Sequence, residues 1–346
     1  MRLHHGLLWL AVILVSAPAV ASARLEVESI PPGALVTLDG EEIGNTPLQR
    51  DIDLQGAERR TVTLTLSMKA YNEATREVEL VEGETAVVRP VRLITPHPLP
   101  VGAIPLPDQE AQIMDPGFAV ATPDGAVMVW VPAGPFEAGY PADYQDPRAQ
   151  DMNPSRRVEL PGFWIDVHEV TNRQYAAFVE ETGYEPPSHW GGNAPPAGRE
   201  DDPVTHVTLS DADAYARWAR KRLPTEDQWE KAARGDADAR LFPWGDRFEQ
   251  GDANTGTLVG EPRPVMSYER DESPYGVFDM AGNVREWVLG MWTGHPERLI
   301  LRGGSYGATE ASNNPQFAMI PFRGYVEPDL VARYMPLTGF RCVVSE

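Results

Sequence analysis

Reactive residue types are densest between Ser273 and Val288, SPYGVFDMAGNVREWV, where the carboxylates of Asp279 and Glu286 flank Gly282. A glycine there permits a sharp bend at which backbone carbonyls turn inward beside both carboxylates, and hard oxygen donors at that density suit Ca²⁺. The competing reading is structural: Asp279 caps a short helix, Glu286 is a solvated charge and Trp287 is core. Other candidate chemistry is sparse. The single cysteine, Cys342, excludes an intrachain disulfide and is expected as a small packed hydrophobe in a terminal strand. The seven histidines include no pair at i,i+4 and no H-E-x-x-H, so their spacing points to no transition-metal site. Gly303-Gly304-Ser305-Tyr306-Gly307 matches G-x-S-x-G, but no helical pattern follows it, and no catalytic residue is assigned.

Several patterned stretches must position that turn. Thr171 with Gln174 and Thr225 with Gln228 have capping-box spacing, and Ser210 with Asp213 is a weaker version. Behind these caps apolar residues recur at helical period: Tyr175, Phe178 and Val179; Tyr215, Trp218 and Ala219; Trp229, Ala232 and Ala233. Gly183 and Gly235 stand where C-terminal caps belong. After Gly235 no long helical pattern returns, and loops with short strands are expected. From Arg24 to Leu93 the texture is β throughout, punctuated by Pro31-Pro32-Gly33 and Asp39-Gly40. Thr95–Pro123, with its crowded prolines, reads as a semi-rigid linker between two domains.

The 346 residues carry a formal net charge of −21. That balance argues against nucleic acid, which needs clustered Lys and Arg, and against an anionic membrane surface. At the start, Arg2, His4 and His5 precede the apolar run LLWLAVILV and a small-x-small pattern ending at Ala23. This reads as an export signal at residues 1–23, too short to span a bilayer. The mature chain is expected to begin near Arg24, to have no transmembrane segment and to lie in the periplasm or at the cell surface.

Four blocks, FWIDVHEVTNRQYAAFV (Phe163–Val179), RLPTEDQWEKAARG (Arg222–Gly235), DMAGNVREW, and the closing pair LRGGSY and GFRC, resemble in order and wording the sulfatase-modifying domain of formylglycine-generating enzymes. The likeness runs from about Ala126 to Val344. It implies an α+β, C-type-lectin-like fold with little regular secondary structure, over 124–346. The run SIPPGALVTLDGEEIGNTPL, Ser29–Leu48, is similar to PEGA modules, which implies a small all-β domain over 24–94 and surface or envelope interaction.

Carried over residue by residue, the resemblance implies one calcium site made by the side chains of Asp279 and Glu286 and the carbonyls of Gly282 and Val284. It implies a second starting at Asn254-Thr255, whose downstream acidic ligand has no match in Gly256–Pro264. At Arg285 the family usually has Trp, so a cation stands here that projects outward or competes for a carboxylate. The family's oxidation of a substrate cysteine needs two cysteines after RGGSY; those places fall near Ala308 and Asn313, and neither supplies a soft thiolate for copper. The family's peptide groove maps onto Arg302, Ser305, Tyr306, Tyr325 and Tyr334, with Trp292 upstream, residue types that suit a peptide or glycan. The expectation is an exported, calcium-stabilised, non-catalytic binding or scaffold protein for an exported protein, peptide or glycan. The alternative is a divergent oxidase or modifying enzyme acting without the copper-binding pair.

Overall fold

A computed structural model describes residues 21–30, 32–68, 73–93, 104–105, 119–121, 124–256, 260–292, 294–307 and 315–345. The expected export signal up to residue 20, most of the Pro-rich stretch and the places near 308 and 313 lie outside the described residues. The chain divides into two compact units, Met1–Leu93 and Ile94–Glu346.

Unit 1 is all-β, with strands β1 (Ser22–Ile30), β2 (Leu35–Leu38), β3 (Glu41–Asn45), β4 (Leu48–Asp53), β5 (Arg59–Ser67), β6 (Ala74–Val81) and β7 (Thr85–Arg92). They form two sheets, β4-β1-β7 and β3-β2-β5-β6. Alternation decides the faces: Val62, Leu64 and Leu66 of β5 are buried together with Leu25, Val27 and Val36. The turn read at Pro31-Pro32-Gly33 is held by Thr46, whose buried hydroxyl accepts from the backbone N–H of Gly33 and of Ala34, both at 3.0 Å, so one side chain ties that turn to the stretch between β3 and β4. The β1 strand starts at Ser22, with Ala23 buried opposite Ile52, ahead of the boundary expected at Arg24.

Unit 2 holds β8 (Ile104–Pro105), β9 (Ala119–Ala121), β10 (Ala126–Val131), β11 (Gly134–Ala138), helix α1 (Pro147–Met152), β12 (Arg156–Leu160) and β13 (Phe163–Asp166). There follow α2 (Asn172–Thr182), α3 (Leu209–Trp218), α4 (Glu226–Arg234), β14 (Arg285–Val288), β15 (Leu299–Arg302), β16 (Gly324–Val326), α5 (Val331–Tyr334), β17 (Thr338–Gly339) and β18 (Val343–Ser345). The sheets are β18-β13-β10-β9-β8, β11-β12 and β16-β15-β14-β17. β8 and β9 belong to the first of these, so part of the stretch read as linker is edge structure of unit 2; two- and three-residue strands leave too little alternation to see.

The capping boxes at Thr171 and Thr225 are present, and Gly183 closes α2 in the left-handed conformation at φ 70°. The middle helix corrects the reading: its cap is Thr208 with Asp211, two residues before Ser210 and Asp213. The stripes face inward as the period requires. Tyr175, Phe178 and Tyr215 pack with Phe340, with Tyr175 stacked on Tyr215 at 5.7 Å, while Trp229, Ala232 and Ala233 enter a second cluster with Val288 and Ile300. Cys342 is fully buried just before β18, its N–H donated to Asp166 Oδ2 at 2.8 Å.

Candidate functional site

The 279–286 turn is built by two acids that the sequence reading did not name. Glu169, from EVTN, accepts the backbone N–H of Val284 (3.1 Å) on one oxygen and Asn283 Nδ2 (3.0 Å) on the other. Asp271 accepts the N–H of Ala281 at 3.0 Å. Between these clamps Asp279 takes a left-handed backbone, φ 59°, and accepts the N–H of Met266 on Oδ2 at 2.7 Å. The helix-cap role considered for Asp279 is absent, because a turn follows it and not a helix.

Glu286 is buried and held by both nitrogens of a fork: Arg341 Nε reaches Oε2 and Nη2 reaches Oε1, each at 2.8 Å. The Arg of GFRC therefore neutralises the Glu of the metal candidate. Arg285, the cation flagged as a competitor, pairs with no carboxylate among the described residues.

Four carboxylates, Glu169, Asp271, Asp279 and Glu286, are thus buried around one guanidinium. Burial, then the charges of Asp279 and Glu286, push the Glu169 carboxyl well above its ordinary range. Burial and then Asp279 do the same to Asp271, and burial pushes Asp279 up to about 6. Such a cluster holds more negative charge than its protein cations offset, which is the electrostatic condition for a bound cation or for shared protons.

The structure brings Asn254 to the same turn. Asn283 donates its backbone N–H to the Asn254 carbonyl at 2.8 Å, Asn254 Nδ2 donates to Asn283 Oδ1 at 3.1 Å, and Asn254 Oδ1 is buried without a partner. Gly282 is required here, since a Cβ would lie 2.8 Å from the Asn254 carbonyl oxygen. Thr255 follows half-buried. An orphaned amide oxygen, the carbonyls of the turn and two carboxylates are donors that fit a hard cation. Among the described residues no three His, Cys, Asp or Glu side chains converge as a metal site by themselves, so calcium here needs backbone oxygens.

The six groove candidates separate. Arg302 lies in the interior, its Nη2 bonded to Glu230 (2.8 Å) and to the Ile320 carbonyl (2.7 Å), its guanidinium over Trp229. Glu230 also accepts from Gly139 N–H and Arg234. Burial opposes its ionisation, but Arg302 and Arg234 outweigh that and lower the carboxyl to about 2. Ser305 is buried, its hydroxyl without a hydrogen-bond partner and hence without a general base. Tyr306 donates its hydroxyl to the Pro336 carbonyl at 2.7 Å, on the turn that also carries half-buried Tyr334. Trp292 and Tyr325 are in ring contact at 4.8 Å, with Arg323 over the first and Arg298 over the second. Tyr325 is 41% exposed, and Met291, which precedes Trp292, is 74% exposed.

The Sulfatase-modifying factor enzyme 1-like domain model matches residues 118–346, and the PEGA domain model matches 22–91. The chain belongs to the sulfatase-modifying factor family. The chain is 33% identical to hercynine oxygenase of Mycolicibacterium smegmatis over 55% of this chain and 56% of that protein, so it spans little more than half of that relative. It is 30% identical to the formylglycine-generating enzyme of Thermomonospora curvata over 63% of this chain and 93% of the relative. It is 31% identical to the inactive C-alpha-formylglycine-generating enzyme 2 of Mus musculus over 63% and 85%. Among solved structures, PvdO from Pseudomonas aeruginosa superposes with a TM-score of 0.50 at 27% identity, over 64% of this chain and 94% of PvdO. The mixed α+β fold over the second unit is the one expected of this family, and the all-β module before it the one expected of a PEGA domain.

Proposed function

We propose that this family member is non-catalytic and acts as an exported, calcium-held binding or scaffold module for an exported protein, peptide or glycan of the cell envelope. The observation that carries the reading is Cys342. It is the sole thiol in the sequence, it is fully buried beside Asp166, and burial raises its pKa well above the ordinary value, so it is neither a free thiolate nor half of a pair. The similarity to a relative named as inactive supports the same direction.

Calcium would be held by Asp279, Glu286 and the carbonyls of Gly282 and Val284, with Asn254 and Thr255 alongside. Its contribution is charge: it offsets buried carboxylates that Arg341 alone leaves in excess, and it ties the turn to the neighbouring chain. Exposed Tyr325 and half-buried Trp292, with their arginines, supply an aromatic face for a ligand. Among the described residues no helix is long and apolar enough to cross a membrane, and the PEGA module supports an envelope setting.

The test of the non-catalytic reading is incubation of the full chain, supplied with copper and oxygen, with a cysteine-bearing peptide, followed by mass spectrometry. The peptide is expected to keep its thiol; conversion to the aldehyde would overturn the reading.

A further inference from the structure

The stretch 185–191, between α2 and α3, is fastened by rings rather than by its backbone. Among the described residues no hydrogen bond runs from it to the rest of the fold, and its 3-10 turn, Ser188–Trp190, is closed internally by the Trp190 N–H on the Pro187 carbonyl at 3.0 Å. Two ring contacts tie it down. Trp190 is buried edge-on to Tyr175, the centroids 6.1 Å apart, with its indole N–H unsatisfied. His189 stacks on His206, the centroids 4.1 Å apart and the planes at 26°.

His206 is the half-buried member of the pair. Its backbone is left-handed at φ 60°, which a residue with a side chain adopts at a cost. Its N–H is donated to the Met335 carbonyl at 2.8 Å and its Nδ1 meets the Thr205 hydroxyl at 3.1 Å. The next carbonyl, that of Pro336, accepts the Tyr306 hydroxyl. The stack therefore joins 185–191 to the stretch before α3, and through it to the 335–337 turn. The titratable groups on these elements are Tyr184, Glu185, Asp202, Asp211, Arg333 and Tyr334. Asp211 is taken up by Thr208 and Tyr184, and Asp202 by Arg199. Neither imidazole has a carboxylate partner among the described residues. Burial and then the charge of His206 lower His189 to about 4 from 6.5, and burial lowers His206.

We propose that the His189–His206 stack is an acid-released clasp: neutral rings in contact hold 185–191 against the stretch before α3, and their protonation frees that segment and loosens the 335–337 turn beside Tyr306 and Tyr334. Two neutral imidazoles stack without penalty, whereas two imidazolium rings at that separation repel, with no anion beside them to absorb the charge. Folding keeps both rings neutral, so the closed form loses ground as the pH falls from 6.5 toward 4. A segment held by two ring contacts and no backbone bond opens locally when one contact fails, while the surrounding core stays shut. The clasp stands on the geometry of the pair; only its bearing on a ligand at Tyr306 or Tyr334 rests on the reading of this domain as a binding module.

The test is NMR of the full chain in calcium, reading the imidazole titrations together with hydrogen exchange at the Trp190 and His206 amides, corrected for intrinsic rates. Between pH 7.5 and 5.0 protection of these two amides is expected to fall about tenfold or more relative to amides of α4, which report global opening. His189→Phe keeps a ring on His206 but takes no proton, so most of that fall should vanish. His189→Ala removes the ring, and both amides should exchange fast at pH 7.5 while those of α4 stay protected. A His189 that titrates at its ordinary 6.5, an equal fall in His189→Phe and the parent, or full protection at pH 7.5 in His189→Ala would overturn the proposal. None of these readouts involves a ligand or a change in calcium, so failure here leaves the calcium-held module standing, and a chain that does not respond to calcium leaves the clasp standing.

Discussion

Glu230 shows how the interior of unit 2 manages charge. Its two oxygens accept from Gly139, Asn153, Arg234 and Arg302, all buried, and its carboxyl is lowered to about 2 against an ordinary 4.5. A carboxyl depressed by folding adds stability above its unfolded value and loses it as the pH falls, here between about 4.5 and 2. Glu230→Gln should cost about 3–5 kcal/mol at neutral pH, because two guanidiniums lose their anion, and should flatten the acid limb of a urea-melt series below pH 4.5. His168 acts in a higher window. Burial lowers its pKa to about 4 from 6.5 while Nδ1–H donates to the Glu169 carbonyl, so it stays neutral in the fold. Stability is then lost as the pH falls from 6.5 toward 4, and His168→Gln should remove on the order of 2–3 kcal/mol of that loss. His189, also lowered to about 4, keeps part of it. At this scale the sequence is a partial guide. Asp279 and Gly282 were read as one candidate site and Asn254 as the start of another, and the hydrogen bonds that join Asn254 to the same turn were not legible; the Arg341–Glu286 fork spans 55 residues and Glu169 reaches across 115. No local spacing records such pairings. Arg302 misled for the same reason: its type suits a groove, and only the partner on α4 places it in the core.

Helices were the most legible elements, because a cap is a local device. Thr171 and Thr225 bond the N–H three residues on, and Thr171→Ala or Thr225→Ala should each cost about 1 kcal/mol in chemical denaturation of unit 2. Ser210→Ala should cost much less, since the cap of that helix is Thr208; an equal cost would contradict the assignment. The Ser210 reading failed because Ser-Asp-Ala-Asp and Thr-Leu-Ser-Asp carry the same spacing two residues apart. Short strands were least legible. β8 and β9 sit in a Pro-rich stretch, where edge pairing and linker have the same composition.

The whole molecule is acidic by 21 charges, and the metal candidate concentrates four buried carboxylates around Arg341. The family likeness made the fold legible, because its phrases lie on elements that the structure then packs together: EVTN and GNVREW meet through Glu169 and Asn283, GNVREW and GFRC through Glu286 and Arg341. What remained illegible was the charge balance, which depends on how many acids converge in three dimensions. The measurement that tests the account most directly is differential scanning calorimetry of the full chain in calcium and in chelator, with Asp279→Ala in parallel. The account predicts that calcium raises the unit 2 transition and leaves that of unit 1 unchanged. The rise should be largely lost in Asp279→Ala, which in chelator should melt close to the parent or above it, since one buried carboxylate is gone. An identical melt of the parent with and without calcium, or equal destabilisation by Asp279→Ala in both conditions, would contradict the calcium-held module.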